Sequence, residues 1–332
     1  MQTIFPPKLA RGDVVRVVAP ASSRTRVTAF DNSTIIDQRF AEMGLTLTFG
    51  EHVDENDAFN SSSIESRVDD LHAAFADPEV KAILSVIGGF SSNELLPSLD
   101  FDLIAANPKI LCGYSDITAL QNAIFARTGL VTYSGPHWSS FGMRDYFEPT
   151  GEWFRRVLLN DVATGPVRLA PSETWTDDLW FMNQDDRTPT TNEGWWLLQN
   201  GAASGRLIGG NLGTLTLLKG TKYMPPLTGA VLFVEEVGGY PIEVFLRNLT
   251  SLLQLPDAAD VTGLLIGRFQ RMTGVSREIL AEVVARQPPL HGKPVIANVD
   301  FGHTSPLITY PIGGEVALMA DGVKATIELI RY

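Results

Sequence analysis

The sequence predicts an α/β protein in two parts: a doubly wound parallel-sheet domain over residues 1–150 and a mixed α/β domain over residues 201–332. Three observations lead there. In the first 150 residues, short β-branched runs alternate with segments of helical apolar spacing, the pattern of a parallel sheet covered on both faces. Between 150 and 200 the composition shifts toward Asp, Thr, Asn and tryptophan. Beyond 200, strand-like and helix-like segments alternate again, and the chain ends in a hairpin.

The elements follow in order. Val14–Ala19 (VVRVVA), closed by Pro20, reads as a buried strand. Ser33–Met43 reads as a helix, with Ile35, Ile36, Phe40 and Met43 on one side and Gly44 as its stop. Leu45–Phe49 is the second strand. In Ser63–Phe75, Ile64, Val68, Leu71 and Phe75 recur at helical spacing. Ala82–Ile87 is a third strand ending in Gly88-Gly89. Lys109–Cys112 is a fourth, followed by a helix from Asp116 to about Arg127, and Leu130–Tyr133 is a fifth. The succession is that of a doubly wound, flavodoxin-like sheet. Residues 151–200 read as a linker and Trp-rich insertion, with Trp175, Trp180, Trp195 and Trp196, four of the six tryptophans, falling between 175 and 196. In the last part, Ala230–Val234, Leu264–Arg268 and Val295–Ala297 are strand-like, Ile242–Leu253 and Arg277–Val284 helical. The final hairpin turns at Ala320-Asp321-Gly322.

Composition narrows the functional classes. The chain has 332 residues, 44% hydrophobic and 19% charged, an ordinary globular balance. No apolar run approaches the ~20 residues that span a bilayer, and MQTIFPPKLARGD lacks the n- and h-regions of a signal peptide. A single cysteine, Cys112, allows no intrachain disulfide and no Cys-based metal site. A cytoplasmic protein without membrane attachment is expected. The net charge of −12, with no basic stripe, argues against nucleic acid as a partner. After the first strand VVAPASS stands where a dinucleotide-binding protein would carry G-x-G-x-x-G, so a cofactor carrier is disfavoured and no cofactor is expected.

The chemistry concentrates at strand ends, where open α/β sheets form their sites. In KILCGYSDITAL, Ser115 stands where a buried strand turns into a helix. Gly113 leaves room for a sharp bend, and the helix N-terminus points its N–H groups at whatever the serine attacks. This is the setting of a nucleophile elbow, although Ile117 replaces the second glycine of G-x-S-x-G. Alternatively, Ser115 or Asp116 caps the helix. Of the five histidines, His303 in the loop FGHTSPL is the best base for such a serine, with His137 in YSGPHW the next. Glu235 and Glu236 end the strand LFVEE. Either one of them orients an imidazole or both are solvated at the strand tip. Gly88-Gly89 offers backbone N–H groups for an oxyanion hole, or is a plain turn. Asn211 in IGGNL reads as a substrate contact or a helix N-cap. The tryptophans stack on a nucleobase, or pack into a core or dimer interface.

Together IGGFSSNELLP, GYSDITAL, IGGNL, LFVEE and FGHTSPLITYPIG resemble the LD-carboxypeptidase family of serine peptidases, with motif order and spacing matching over nearly the whole chain. GGFSSNELLP, NPKI–GYSD and the Trp-rich stretch at 172–196 resemble its microcin C immunity branch. The resemblance implies a Ser-Glu-His triad of Ser115, Glu235 and His303. It implies an oxyanion hole from the N–H groups of Gly89 and Asp116, with substrate contacts from Asn211, Trp175, Trp180 and Trp195. It also implies a β-rich C-terminal domain carrying Glu and His, a cleft between the domains, a homodimer and no metal. The expected substrate is an aminoacyl-nucleotide conjugate or, alternatively, a murein tetrapeptide. A peptide- or nucleotide-binding protein without catalysis is the rival from another class. One departure bears on specificity: some immunity-type members carry a basic residue shortly after the acidic pair. Here VGGYPIE follows, with no Lys or Arg until Arg247.

Overall fold

In the computed structural model, which describes residues 2–27, 32–160 and 165–332, the N-terminal alternation runs β1 (Val14–Val18), α1 (Ser33–Glu42), β2 (Thr46–Phe49), α2 (Ile64–Ala76), β3 (Val80–Ser85), α3 (Phe101–Ala106), β4 (Ile110–Gly113), α4 (Thr118–Thr128), β5 (Thr132–Ser134) and α5 (Glu148–Leu158). The apolar runs become strands buried on both faces: Ala82, Ile83, Leu84, Leu111 and Cys112 are wholly inaccessible. β1 to β5 pair in parallel in the spatial order β5-β4-β3-β1-β2, the doubly wound arrangement with its switch point between β1 and β3.

The chain continues with β6 (Val167–Arg168), β7 (Thr174–Trp175), β8 (Thr190–Thr191), β9 (Trp196–Gln199), β10 (Gly201–Asn211), α6 (Leu212–Thr216), β11 (Ala230–Glu235) and α7 (Ile242–Leu253). It ends with β12 (Gly263–Gly267), α8 (Arg277–Ala285), β13 (Val295–Val299), β14 (Tyr310–Ile312), β15 (Glu315–Ala320) and β16 (Ala325–Arg331). A second sheet has the order β6-β16-β15-β10-β11-β12-β13-β9. Its centre, β10 to β13, is parallel and its flanks are antiparallel. The hairpin turn forms because Asp321 Oδ1 accepts from the N–H groups of Val323 (3.0 Å) and Lys324 (2.7 Å).

Three segments join sheets across the expected boundaries, the first being β6, which pairs with β16 from within the expected linker. WLLQ at 196–199 is β9, an edge strand of the second sheet, with Trp196 opposite Ala297. β14 leaves the C-terminal half and pairs antiparallel with β5, Tyr310 opposite Ser134 and Ile312 opposite Thr132. The two sheets meet on α4, whose residues from Thr118 to Phe125 are all buried. Asn122 Nδ2 donates to the Gly209 carbonyl (2.8 Å), and Asn211 N–H donates to Thr118 Oγ1 (3.0 Å). The glycines of IGGN answer to two neighbours, Gly209 to strand β11 of its own sheet and Gly210 to α4. A Cβ on Gly209 would lie 1.7 Å from the Phe233 carbonyl oxygen, and one on Gly210 would lie 2.4 Å from Thr118 Oγ1. Among the described residues, no helix is long and apolar enough to cross a membrane.

Candidate active site

Ser115 is reached by an abrupt bend. Tyr114 is extended (φ −147°, ψ −168°), Ser115 takes φ +60°, and a short 3₁₀ turn over Ser115–Ile117 leads into α4. A non-glycine residue in the left-handed region is strained, and such strain is typical of a serine held out at a strand-to-helix turn. The bend is braced from below: Gln121 Nε2 donates to the carbonyls of Gly113 (2.8 Å) and Tyr133 (2.6 Å). Gly113 is needed because a Cβ there would stand 2.3 Å from Ser85 Oγ and 3.2 Å from the Ile117 side chain. Ile117 itself is fully buried, which accounts for an apolar residue in place of the elbow's second glycine.

The loop between β13 and β14 brings His303 over this serine. Its Nε2 is 3.0 Å from Ser115 Oγ, and its Nδ1 is 2.7 Å from Glu235 Oε2 at the end of β11. With Nδ1 donating to the carboxylate, Nε2 is left to accept from the serine hydroxyl. Burial alone would lower the pKa of His303. The charge and hydrogen bond of Glu235, with the charge of Glu236 beyond it, reverse this and leave it raised above 6.5. The loop is anchored at its root by a buried ion pair, Arg268 Nη1 to Asp300 Oδ1 at 2.6 Å, and Asp300 also accepts from Ser172.

Glu235 and Glu236 are both buried, 4% and 7% exposed, and they differ in their partners. Glu235 holds the imidazole and accepts from Asn211 Nδ2 (3.1 Å). The Oε1 of Glu236 accepts from Asn211 Nδ2 and from Val237 N–H, each at 3.3 Å, while its Oε2 has no hydrogen-bond partner. Burial, then the neighbouring Glu235 charge, raise the pKa of Glu236. Asn211 is the N-cap of α6, its Oδ1 accepting from Thr214 N–H (3.0 Å), and its amide nitrogen also ties the two glutamates together.

Glycine brings the turn after β3 against the serine. A Cβ on Gly88 would lie 3.1 Å from Ser115 Oγ and 3.5 Å from the Asp116 amide nitrogen. The Asp116 carboxylate accepts from Ser92 N–H (2.8 Å) and its carbonyl from Ser92 Oγ (2.7 Å), fastening this turn to the serine bend. Beside them lies His137, stacked on Tyr114 with ring centroids 4.1 Å apart and Nδ1 2.8 Å from Ser85 Oγ. Burial, then the charge of His303, hold its pKa down at about 3, so it is neutral.

A cavity of about 790 Å³ opens over the serine, bordered by Gly89, Ser115, Asp116, Asn211, Glu236 and His303. Of the four insertion tryptophans, Trp180 lines it, and Trp175, Trp195 and Trp196 do not. Trp175 lies against the guanidinium groups of Arg268 and Arg271 (5.1 and 5.6 Å). Trp195 packs on the core, and Trp196 is in β9 with Nε1 donating to Glu193. The insertion is pinned to both halves. Thr176 bridges to Ser305 through backbone bonds of 2.9 and 2.8 Å, Arg271 pairs with Asp177 and Asp178, and Gln184 Nε2 donates to the Gly142 carbonyl. Sequence reasoning missed the brace Gln121 and the stacked Tyr114–His137 pair. A glutamine inside an apolar helix was the available signal for the first.

A serine hydroxyl, an imidazole and a carboxylate in one hydrogen-bonded line, in a cleft where a strand meets a helix N-terminus, define the class of serine hydrolase sites. Models of the LD-carboxypeptidase N-terminal and C-terminal domains match residues 15–135 and 204–318, and the chain belongs to the LD-carboxypeptidase family: it is a serine peptidase of the carboxypeptidase type. It is similar to the putative carboxypeptidase YocD of Bacillus subtilis (46% identity, 96% of each chain). It is also similar to the murein tetrapeptide carboxypeptidase of Pseudomonas aeruginosa (30%, 93% of this chain and 94% of that one). Among solved structures, the MccF-like protein of Bacillus anthracis superposes with a TM-score of 0.96 (45% identity, 99% and 100% coverage). The microcin C7 self-immunity protein MccF, in complex with aspartyl sulfamoyl adenosine, gives 0.87 (31%, 99% of each).

Proposed function

We propose that the protein hydrolyses the amide or acyl bond of aminoacyl-nucleotide conjugates of the microcin C type, with Ser115 as nucleophile, His303 as general base and acid, and Glu235 as the group orienting His303. The N-terminal half supplies the nucleophile and the C-terminal half the other two. His303 Nε2 takes the hydroxyl proton as Ser115 Oγ bonds to the carbonyl carbon. The N–H groups of Gly89 and Asp116 receive the oxyanion. Collapse breaks the bond to the leaving nitrogen, which takes the proton from His303. Water, deprotonated by the same imidazole, then attacks the acyl-enzyme and frees Ser115.

The observation that carries this reading is the relay itself, 3.0 Å from Ser115 Oγ to His303 Nε2 and 2.7 Å onward to Glu235. The nucleotide part of the reading is supported by Trp180 at the cavity wall and by the aspartyl sulfamoyl adenosine that the similar MccF holds. The murein carboxypeptidase relative favours a second reading, in which an L,D-linked murein peptide is cleaved by the same three residues. Ser115→Ala should lower turnover by about 10⁴-fold or more while leaving the melting temperature nearly unchanged. Near-normal activity in that variant would remove Ser115 from the mechanism. Incubating the purified wild-type protein with an aminoacyl sulfamoyl adenosine and with a murein tetrapeptide decides between the substrates by which one is cleaved. A homodimer and a cytoplasmic site of action belong to the same proposal, and light scattering and cell fractionation test them.

A further inference from the structure

Among the described residues, four carboxylates line the cavity: Asp116, Asp177, Asp178 and Glu236. Three are engaged, Asp116 by Ser92, Asp177 by Arg271, and Asp178 by Arg271, Thr176 and Thr188. Glu236 is held only at Oε1, by two bonds of 3.3 Å, and its Oε2 is buried with no partner. A buried carboxylate oxygen without a donor is costly, and here a second carboxylate, Glu235, stands next in the chain. Gly213, which lies against Glu236, and the other wall residues Thr214, Leu217, Val237, Tyr240 and Asn248 carry no charge. Among the described lining residues the one guanidinium or ammonium is Arg26, in the turn after β1. Arg247, the first basic residue after the acidic pair, is on α7 and does not line the cavity. An acyl group bearing a carboxylate would therefore meet like charge here, whereas an ammonium would supply both the missing donor and the missing positive charge.

We propose that Glu236 is a specificity-determining residue whose carboxylate receives an ammonium group on the acyl part of the substrate, so that the enzyme selects acyl groups carrying a free amine. The inference rests on the hydrolase reading above and concerns the same cavity. Through Asn211, Glu236 is tied to Glu235 and so to His303, which sets its carboxylate beside the relay where the scissile bond would lie, and the proposal commits to the acyl side of that bond. The amine is either the α-amino group or an amine in the acyl side chain.

The test is equilibrium binding to the Ser115→Ala protein, measured calorimetrically, with lysyl and norleucyl sulfamoyl adenosine, each with its α-amine free or acetylated. Where the proposal holds, at least one ammonium-bearing probe binds roughly 10–100-fold tighter than its neutral counterpart. Adding Glu236→Gln removes that ratio, and Glu236→Asp, which keeps the charge on a shorter stem, retains part of it. A preference lost on acetylation assigns the α-amine; one lost on replacing lysyl by norleucyl assigns the side chain. A ratio unchanged by Glu236→Gln, equal affinity for charged and neutral probes, or no binding of any probe overturns the proposal. Cleavage of the same probes by the protein with Ser115 intact judges the hydrolase reading separately: a Glu236-dependent preference without cleavage would sink that reading and leave this one standing.

Discussion

At the scale of single residues, the general-base role proposed for His303 would tie its pKa to the rate. Its neutral form is the one that can take a proton, and Glu235 and Glu236 hold its pKa above 6.5 against the opposing effect of burial. The value of kcat/KM should therefore rise with pH through a midpoint above 6.5 and fall away on the acid side. Glu235→Gln removes the charge that favours the imidazolium, so the acid limb should move to lower pH while the maximal rate drops by about 10²–10⁴-fold. A pH–rate profile of both proteins checks this, and a limb that stays in place would mean that another group titrates. His137 adds no limb at neutral pH, because burial keeps it uncharged down to about 3. Ser115, Glu235 and His303 could be singled out in the sequence because each sits at a strand end or in a Gly/Pro loop, where helix capping or solvation was the competing explanation. Gln121 was not singled out, because a lone glutamine inside an apolar helix signals a buried amide without saying which two carbonyls it braces.

Elements show why the strands and helices of the N-terminal half were readable and the seams were not. Strands β1 to β4 announce themselves as β-branched or aliphatic runs bounded by Pro and Gly, and α1 and α2 by apolar spacing. β10 is broken in sequence by two adjacent glycines, so an 11-residue strand does not read as one. Those glycines exist for the neighbours they touch, the Phe233 carbonyl and Thr118. Gly210→Ala should lower stability by about 2–4 kcal/mol, read as a fall in denaturation midpoint, because the Cβ must displace α4 or β10. An unchanged midpoint would mean that the contact relaxes at no cost. The insertion tryptophans were alike in sequence, and only the pairing of Thr176 with Ser305 and the clamp of Arg271 on Asp177 decide which one faces the cavity. Trp180→Ala should weaken binding of a sulfamoyl nucleoside roughly 10-fold or more, and Trp195→Ala should leave it within about threefold. Titrating both variants with the same nucleoside checks the distinction.

For the whole molecule, the exchange of strands matters more than the boundary between halves. β14 completes the N-terminal sheet from a position more than 170 residues beyond β5, and β9 completes the second sheet from within the insertion. A short three-residue strand such as YPI carries no signal that it pairs far away, which is why a cut at residue 200 looked natural. A fragment of residues 1–160 lacks β14 and exposes the edge of β5, including the fully buried Tyr133. It should show no cooperative unfolding transition in calorimetry, whereas the full chain should unfold in one transition. A fragment that melts cooperatively as a monomer would show that β14 is dispensable.

The segment bearing His303 leaves one sheet at Val299 and enters the other at Tyr310. Its imidazole is thereby suspended between two bodies, and the gap to Ser115 measures how they seat on the helix between them. On the mechanism proposed above, turnover becomes a strain gauge for that seating: pressure, cosolvent or a remote substitution that slides one body by an ångström would dim the reaction while every strand stayed hydrogen-bonded.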